Sequence, residues 1–224
     1  MTKKMKYYFL VIYAILFFTV WDSNAKDNAQ KRKSILKVKS SDLLEPHGSW
    51  FMKNSTLVLK KDNQQKDRTN IWINGEYSDF ILDLDFKLAS GTNSGIFFRT
   101  KNIEDPVQTG IEVQIRDDYE KENIDKHFCG SIYEIKEVSE NLVKMPGKWN
   151  NLKIICKNTT IQTFINGKMV VDIDLIVWEE AGKNPDGTLN KFKTAYKNMP
   201  KTGKIGFQDH GGKVWLKNVK IKQL

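Results

Sequence analysis

The run Ile111-Glu112-Val113-Gln114-Ile115-Arg116 carries the residues best placed to do chemistry. Successive side chains of a strand point to opposite faces. Ile111, Val113 and Ile115 therefore share one side, and Glu112, Gln114 and Arg116 the other. A second run, Asn93-Ser94-Gly95-Ile96-Phe97-Phe98-Arg99, sets Gly95, Phe97 and Arg99 against Ile96 and Phe98. If the two strands pair, Arg99 stands beside Glu112 or Gln114. A carboxylate, a guanidinium and amides on one surface can hold a polyhydroxylated ligand and move protons on it. Any half-exposed sandwich strand also carries a polar face, and Glu112 with Arg99 could equally be a cross-strand ion pair.

Gly206-Phe207-Gln208-Asp209-His210-Gly211-Gly212 is the second cluster. Gln208 and His210 share a face there. His210, one of three histidines with His47 and His127, is either a proton carrier or an ordinary structural histidine. Asp117-Asp118 with Glu120 and Glu122 could hold a divalent cation such as calcium. It lacks the ligand spacing of a calcium loop, so a solvated acidic turn is the competing reading. The sequence has no phosphate loop, nucleophile elbow or His-Glu-x-x-His helix. Two cysteines, Cys129 and Cys156, exclude a disulfide scaffold and a multi-cysteine zinc site, and leave a single bridge open.

The elements that must position these residues repeat with a period of two. Phe80, Leu82, Leu84, Phe86 and Leu88 alternate with Asp83, Asp85 and Lys87, which predicts a strand with one buried and one wet face. Leu152, Ile154 and Cys156 repeat the pattern, as do Ile161, Thr163 and Ile165. Asn166-Gly167 between apolar runs predicts a type I′ hairpin. Val214, Leu216 and Val219-Ile221 supply the last strand. Asp174 to Pro200, with its Asn-Pro and Asp-Gly dipeptides, reads as a long irregular loop with room for one short helix. Many strands and little helix point to an all-β fold, an antiparallel sandwich or jelly roll.

The 224 residues allow one large domain or two small ones. Lys3, Lys4 and Lys6 precede an apolar stretch from Phe9 to Trp21, then Ser23-Asn24-Ala25, which reads as a cleavable signal peptide over residues 1–25. No lipobox cysteine stands near it, so the mature protein is expected in the periplasm or secreted, without stable membrane insertion. The formal charge of +9 drops to +7 without residues 1–25. The lysines are scattered, so nucleic acid is not the expected partner. Residues 26–40 read as a flexible leader and residues 41–224 as one domain.

Several segments occur together and in order: Tyr77-Ser78-Asp79-Phe80, Asn93-Ser94-Gly95-Ile96 with Arg99, Gly110 to Ile115 with Asp117, Gly130-Ser131-Ile132-Tyr133, Gly147-Lys148-Trp149-Asn150, Asn166-Gly167 and Gly206 to Gly211. That series resembles the 3-keto-disaccharide hydrolase family over about residues 40–224. The resemblance implies a concanavalin A-like antiparallel β-sandwich (jelly roll) with a concave sugar-facing sheet. It implies an oligosaccharide or glycoside substrate oxidised at sugar carbon 3, cleaved by elimination across carbons 1 and 2 or by net hydrolysis. For that chemistry Glu112 or His210 is the expected base and Arg99 the group at the enolate oxygen. Asn93, Gln114, Tyr133 and Gln208 are expected to hold hydroxyls, and Asp117 to hold one, orient Arg99 or join a metal site. No particular cofactor is implied, and a divalent cation is possible, so metal dependence stays open. The rival expectation is a non-catalytic carbohydrate-binding module, for which Trp72, Trp149, Trp178 and Trp215 could supply the aromatic platform.

Overall fold

Strand alternation is carried through into layers. In Phe80–Leu88 every odd-numbered neighbour of the apolar set is half-exposed while Phe80, Leu82, Leu84, Phe86 and Leu88 are buried. A computed structural model describes residues 35–44, 47–60 and 68–224, and the compact unit Leu36–Leu224 carries the fold. The signal-peptide reading of residues 1–25 lies outside the described residues.

The strands are β1 (Ile35–Lys37), β2 (Trp50–Lys53), β3 (Thr56–Leu59), β4 (Ile71–Trp72), β5 (Phe80–Leu88), β6 (Asn93–Thr100), β7 (Ile111–Arg116), β8 (Asn150–Lys157), β9 (Thr160–Ile165), β10 (Lys168–Asp174), β11 (Lys204–Phe207) and β12 (Val214–Gln223). The larger sheet runs β10-β9-β8-β5-β12-β3-β2, with β1 also on β12, and the smaller β4-β11-β6-β7. Their registers are antiparallel. Asn166 and Gly167 both take positive φ in the β9–β10 hairpin, as that turn type requires.

The inner faces meet in one apolar core. Phe80 and Leu84 of the larger sheet share it with Ile96, Phe98, Ile111, Val113 and Ile115 of the smaller. The Phe80 and Phe98 rings meet edge to face at 5.6 Å. Burying each of these side chains contributes about 1.5–3 kcal/mol. This is the jelly-roll sandwich expected from the sequence.

The smaller sheet is buried on both sides. Its strands β6 and β7 are closed to solvent along nearly their whole length. The outer face is covered by the short helix α1 (Pro106–Thr109) and by residues 175–203. That stretch is irregular, as its composition predicts, and carries two 3-10 turns, at Leu175–Val177 and Tyr196–Asn198. Gln108 fastens it, donating to Lys191 O at 3.1 Å and accepting from Lys193 N at 3.0 Å. Polar side chains on β7 thus become buried ones.

Candidate active site

Register aligns the outward residues of the smaller sheet in two transverse rows. Trp72 faces Gly206, Gly206 faces Phe97, and Phe97 faces Glu112. Val113 bridges Ile132, and Tyr133 N–H donates to Glu112 O at 3.0 Å, so Tyr133 extends the first row. The second row is Gln208, Gly95, Gln114 and Ser131. Gln208 N–H donates to Gly95 O at 2.9 Å and Gln114 N–H to Ser131 O at 3.0 Å, while Gly95 faces Gln114.

Two glycines give these rows their shape. A Cβ at Gly95 would collide with Glu112 Oε1, and one at Gly206 would collide with the Trp72 ring. Glu112 therefore lies across bare backbone at Gly95. Trp72 lies across Gly206, stacked on Phe97 with centroids 6.1 Å apart.

Glu112 is 5% exposed. Burial pushes its carboxyl up to about 8; the Lys191 charge and a hydrogen bond from the Gln208 side chain oppose this without reversing it. Tyr196 is buried close enough to feel the Glu112 charge, and burial raises its phenol first. Gln208 Oε1 and Asp209 Oδ2 are buried acceptors without a hydrogen-bond partner among the described residues. Unpaired buried acceptors are costly, and hydroxyl groups of a ligand would satisfy them.

Of the expected site residues, Glu112, Gln114, Gln208, Tyr133 and Asn93 share this face. The Gln114 amide donates to Asn93 Oδ1 and to Ser94 O. Tyr133 Oη accepts from Lys191 Nζ at 2.7 Å, and that ammonium stands 4.1 Å from the ring centroid. Lys191 Nζ is also 3.9 Å from Glu134, whose Oε1 is 3.1 Å from His127 Nε2. His210 is exposed at the rim, with Nδ1 3.3 Å from Arg68 Nη1.

Arg99 is not on this face. The register between β6 and β11 shifts between Lys204 and Gly206, and Arg99 takes φ +52°. This bulge reverses the parity that would have set Arg99 beside Phe97. Its guanidinium, 1% exposed, donates to Ser78 O at 2.9 Å, Asn158 O at 2.8 Å and Asp79 Oδ1 at 3.0 Å. It joins the start of β5 to the β8–β9 turn.

Asp117 is also placed differently from expectation. Its carboxylate accepts from Gly91 N at 2.9 Å and Tyr119 N at 3.4 Å, which fixes two loops. In the acidic stretch, Asp118 is fully buried and held by Arg116 at 2.6 Å, Lys121 at 3.1 Å and the Cys129 N–H at 2.8 Å. The Cys129 and Cys156 thiols are free, and burial pushes both up to about 12.

The tryptophans do not form a platform on this face. Trp72 and Trp178 are buried, and Trp178 Nε1 donates to Asn184 Oδ1 at 3.0 Å. Trp149 and Trp215 flank Lys87 of the larger sheet, its Nζ 5.0 and 4.5 Å from their ring centroids.

Residues 18–222 match the family described as the 3-keto-alpha-glucoside-1,2-lyase-like domain. The chain belongs to this family. A 3-keto-disaccharide hydrolase of Bacteroides thetaiotaomicron is 24% identical over 173 residues, which are 66% of this chain and 60% of that protein. The chain thus spans about three fifths of the relative's length. A candidate glycosyl hydrolase from Parabacteroides distasonis is 30% identical, with a TM-score of 0.78 over 86% of this chain and 100% of that one. Another from the same organism is 26% identical, with a TM-score of 0.63 over 79% and 83%.

Within this lyase-like domain, sequence reasoning missed Lys191 and Tyr196. Both reach Glu112 from the covering loop, where residue types give no sign of what they will face. A loop too long for a plain connection was the one signal available.

Proposed function

We propose that the chain cleaves 3-keto-glycosides by elimination, with Glu112 as the base. The observation that carries this is the Glu112 carboxyl, nearly closed to water and poised near neutral pH, lying over bare backbone at Gly95 among amides. Membership of the lyase-like family and the named hydrolase relative support glycoside cleavage as the reaction class. The signal-like residues 1–25 support a location outside the cytoplasm.

A ketone at carbon 3 acidifies the hydrogen on carbon 2. Glu112 takes that proton, and the C2–H electron pair passes into the enolate. The enolate pair then forms the C1=C2 bond as the C1–O pair leaves with the aglycone oxygen, which takes up a proton. The products are an unsaturated 3-keto sugar and a free alcohol; water adding across C1=C2 gives net hydrolysis. A base with pKa near the working pH is the efficient choice. The Lys191–Tyr133 pair stands where Arg99 was expected to serve, beside Glu112, and supplies positive charge for the developing oxyanion. With Nδ1 accepting from Arg68, His210 carries its proton on Nε2, available to the leaving oxygen. Direct displacement needs two carboxyls flanking the bond. Here Glu134 is engaged by His127 and Lys191.

Incubation with a 3-keto-glucoside in heavy-oxygen water tests the reading. Release of the alcohol with an unlabelled unsaturated keto-sugar supports elimination. Label at carbon 1 with no unsaturated species at early times rejects it, and binding without release selects the carbohydrate-binding module.

Lys191→Met should move the pH profile as well as lower the rate. Lys191 lowers the Glu112 carboxyl, so its loss raises it further. The ascending limb of kcat/KM should shift to higher pH, and the rate at pH 7 should fall about tenfold. A lower rate with an unmoved limb would mean that Lys191 only braces the loop.

A further inference from the structure

The outer face of the larger sheet, across the core from Glu112, carries a cluster that the mechanism above does not use. Lys87 stands between the core residues Phe86 and Leu88, and Trp215 between Val214 and Leu216, so both point away from the core. Register sets Phe51, Val58, Trp215 and Lys87 in one transverse row. Lys53, Thr56, Lys217, Asp85 and Asn151 make the next. Ammonium groups and indoles alternate here. Lys213 Nζ is 4.9 Å from the Trp215 ring centroid, and Lys87 Nζ is 4.5 Å from the same ring. Lys87 Nζ is also 5.0 Å from the Trp149 centroid, and Lys217 Nζ is 4.1 Å from it. We propose that this ladder binds an acidic polysaccharide, with carboxylate or sulfate groups of the polymer on the three ammoniums. The inference does not depend on the elimination reading.

Lysines scattered in the sequence are gathered here by the sheet. Each ammonium of the ladder lies within about 10 Å of the next, about one Debye length at 0.1 M salt, so the three act as one field. An anion relieves their mutual repulsion, and a polyanion answers all three at once. Among the described residues, Asp85 is the one carboxylate on the two rows, and the amides of Asn151 and Asn218 donate to it at 3.2 and 2.7 Å. The segment 61–67 lies outside the described residues; in its sequence Lys61 and Lys66 balance Asp62 and Asp67. A free lysine loses rotamer freedom when it binds an anion, and against an indole much of that freedom is already gone.

The rings decide which polyanion fits. Nucleic-acid bases stack on open aromatic faces. Here ammonium groups stand over both indoles. An anionic membrane takes up protruding apolar side chains along with charge. In this row Val58 is buried, both indoles are half-buried and Phe51 alone protrudes. The face therefore offers point charges, which is how lysine binds anions. Anionic groups spaced along a polyol chain match that pattern.

The test is affinity electrophoresis of the full chain through gels holding dextran sulfate, polygalacturonate or neutral dextran. Both acidic polymers should retard it and dextran should not, with retardation falling as salt rises. Lys87→Gln combined with Lys217→Gln should raise the apparent Kd about tenfold, the loss expected for two exposed ionic contacts. Lys157→Gln with Lys201→Gln removes the same charge from the far end of β8 and the covering loop, and should change Kd less than about twofold. Trp149→Leu keeps every charge but frees Lys87 and Lys217, and should weaken binding several-fold. Equal losses from the two lysine pairs would reduce the effect to net charge and overturn the proposal. A Trp149→Leu chain that binds as wild type would overturn it too, as would free passage through both acidic polymers. Lys87-dependent binding to phosphatidylglycerol vesicles or single-stranded DNA, without retardation by the polymers, would give the face to a membrane or a nucleic acid instead.

Discussion

Glu112→Gln should abolish turnover and, at the same time, make the fold more stable at alkaline pH. Gln keeps the shape of the side chain over Gly95 but cannot take a proton. Loss of a positioned general base costs on the order of a hundredfold to ten-thousandfold in rate. The wild-type enzyme should show kcat/KM rising tenfold per pH unit and levelling near pH 8, where the buried carboxyl loses its proton. A profile that instead falls through pH 8 would make Glu112 an acid, and residual activity in Glu112→Gln near the wild-type level would remove it from the chemistry.

The stability change follows from the same burial. The folded-state pKa is raised, from 4.5 to about 8. The folded protein therefore holds a proton between those values that the unfolded chain has released. Stability falls as pH rises through that window and stays low above it. At 1.36 kcal/mol per unit the penalty has an upper bound of about 5 kcal/mol. Glu112→Gln removes it. Thermal melts should show the variant equal to wild type near pH 5 and higher at pH 9, by roughly 2–4 °C for each kcal/mol relieved in a domain of this size. Equal melting temperatures at pH 9 would show that the folded protein carries no buried charge to relieve.

Much of this site follows from strand parity alone. Glu112 and Gln114 share a face because Ile111, Val113 and Ile115 must go to the core. Gly95 lies across from Gln114 because the next strand obeys the same rule. Two things escape parity. The first is cover. Alternation reports which side of a strand faces away from its own core, and says nothing about whether a distant loop will close over that side. Glu112 reads as a half-wet surface acid until Gln108 pins the 191–193 segment above the sheet. The second is register. A bulge needs one residue in an unusual backbone conformation, and arginine gives no sign of it, unlike the Asn-Gly pair that announces the β9–β10 turn.

Arg99 is the case where the second failure changes a functional assignment, and its replacement should separate the two readings. At 1% exposure its three hydrogen bonds satisfy two carbonyls and one Asp79 oxygen. Arg99→Ala leaves the Ser78 and Asn158 carbonyls without that donor and removes the cation from Asp79, which keeps the Asn158 N–H on Oδ1 at 2.9 Å and is itself about a quarter exposed. Breaking a well-buried pair costs about 3–5 kcal/mol, and the lower end applies with one partner partly solvated. Such a loss is a large share of the stability of a domain this size. Arg99→Lys restores the charge but not the fork of donors, so it should melt between the two. Because the guanidinium lies away from Glu112, Arg99→Lys at a temperature where it is folded should keep kcat within about twofold of wild type, while an arginine at the enolate oxygen would cost about a hundredfold or more when replaced. A lysine variant with normal melting and collapsed turnover would return Arg99 to the reacting centre, and would require the β6 bulge to straighten when substrate binds.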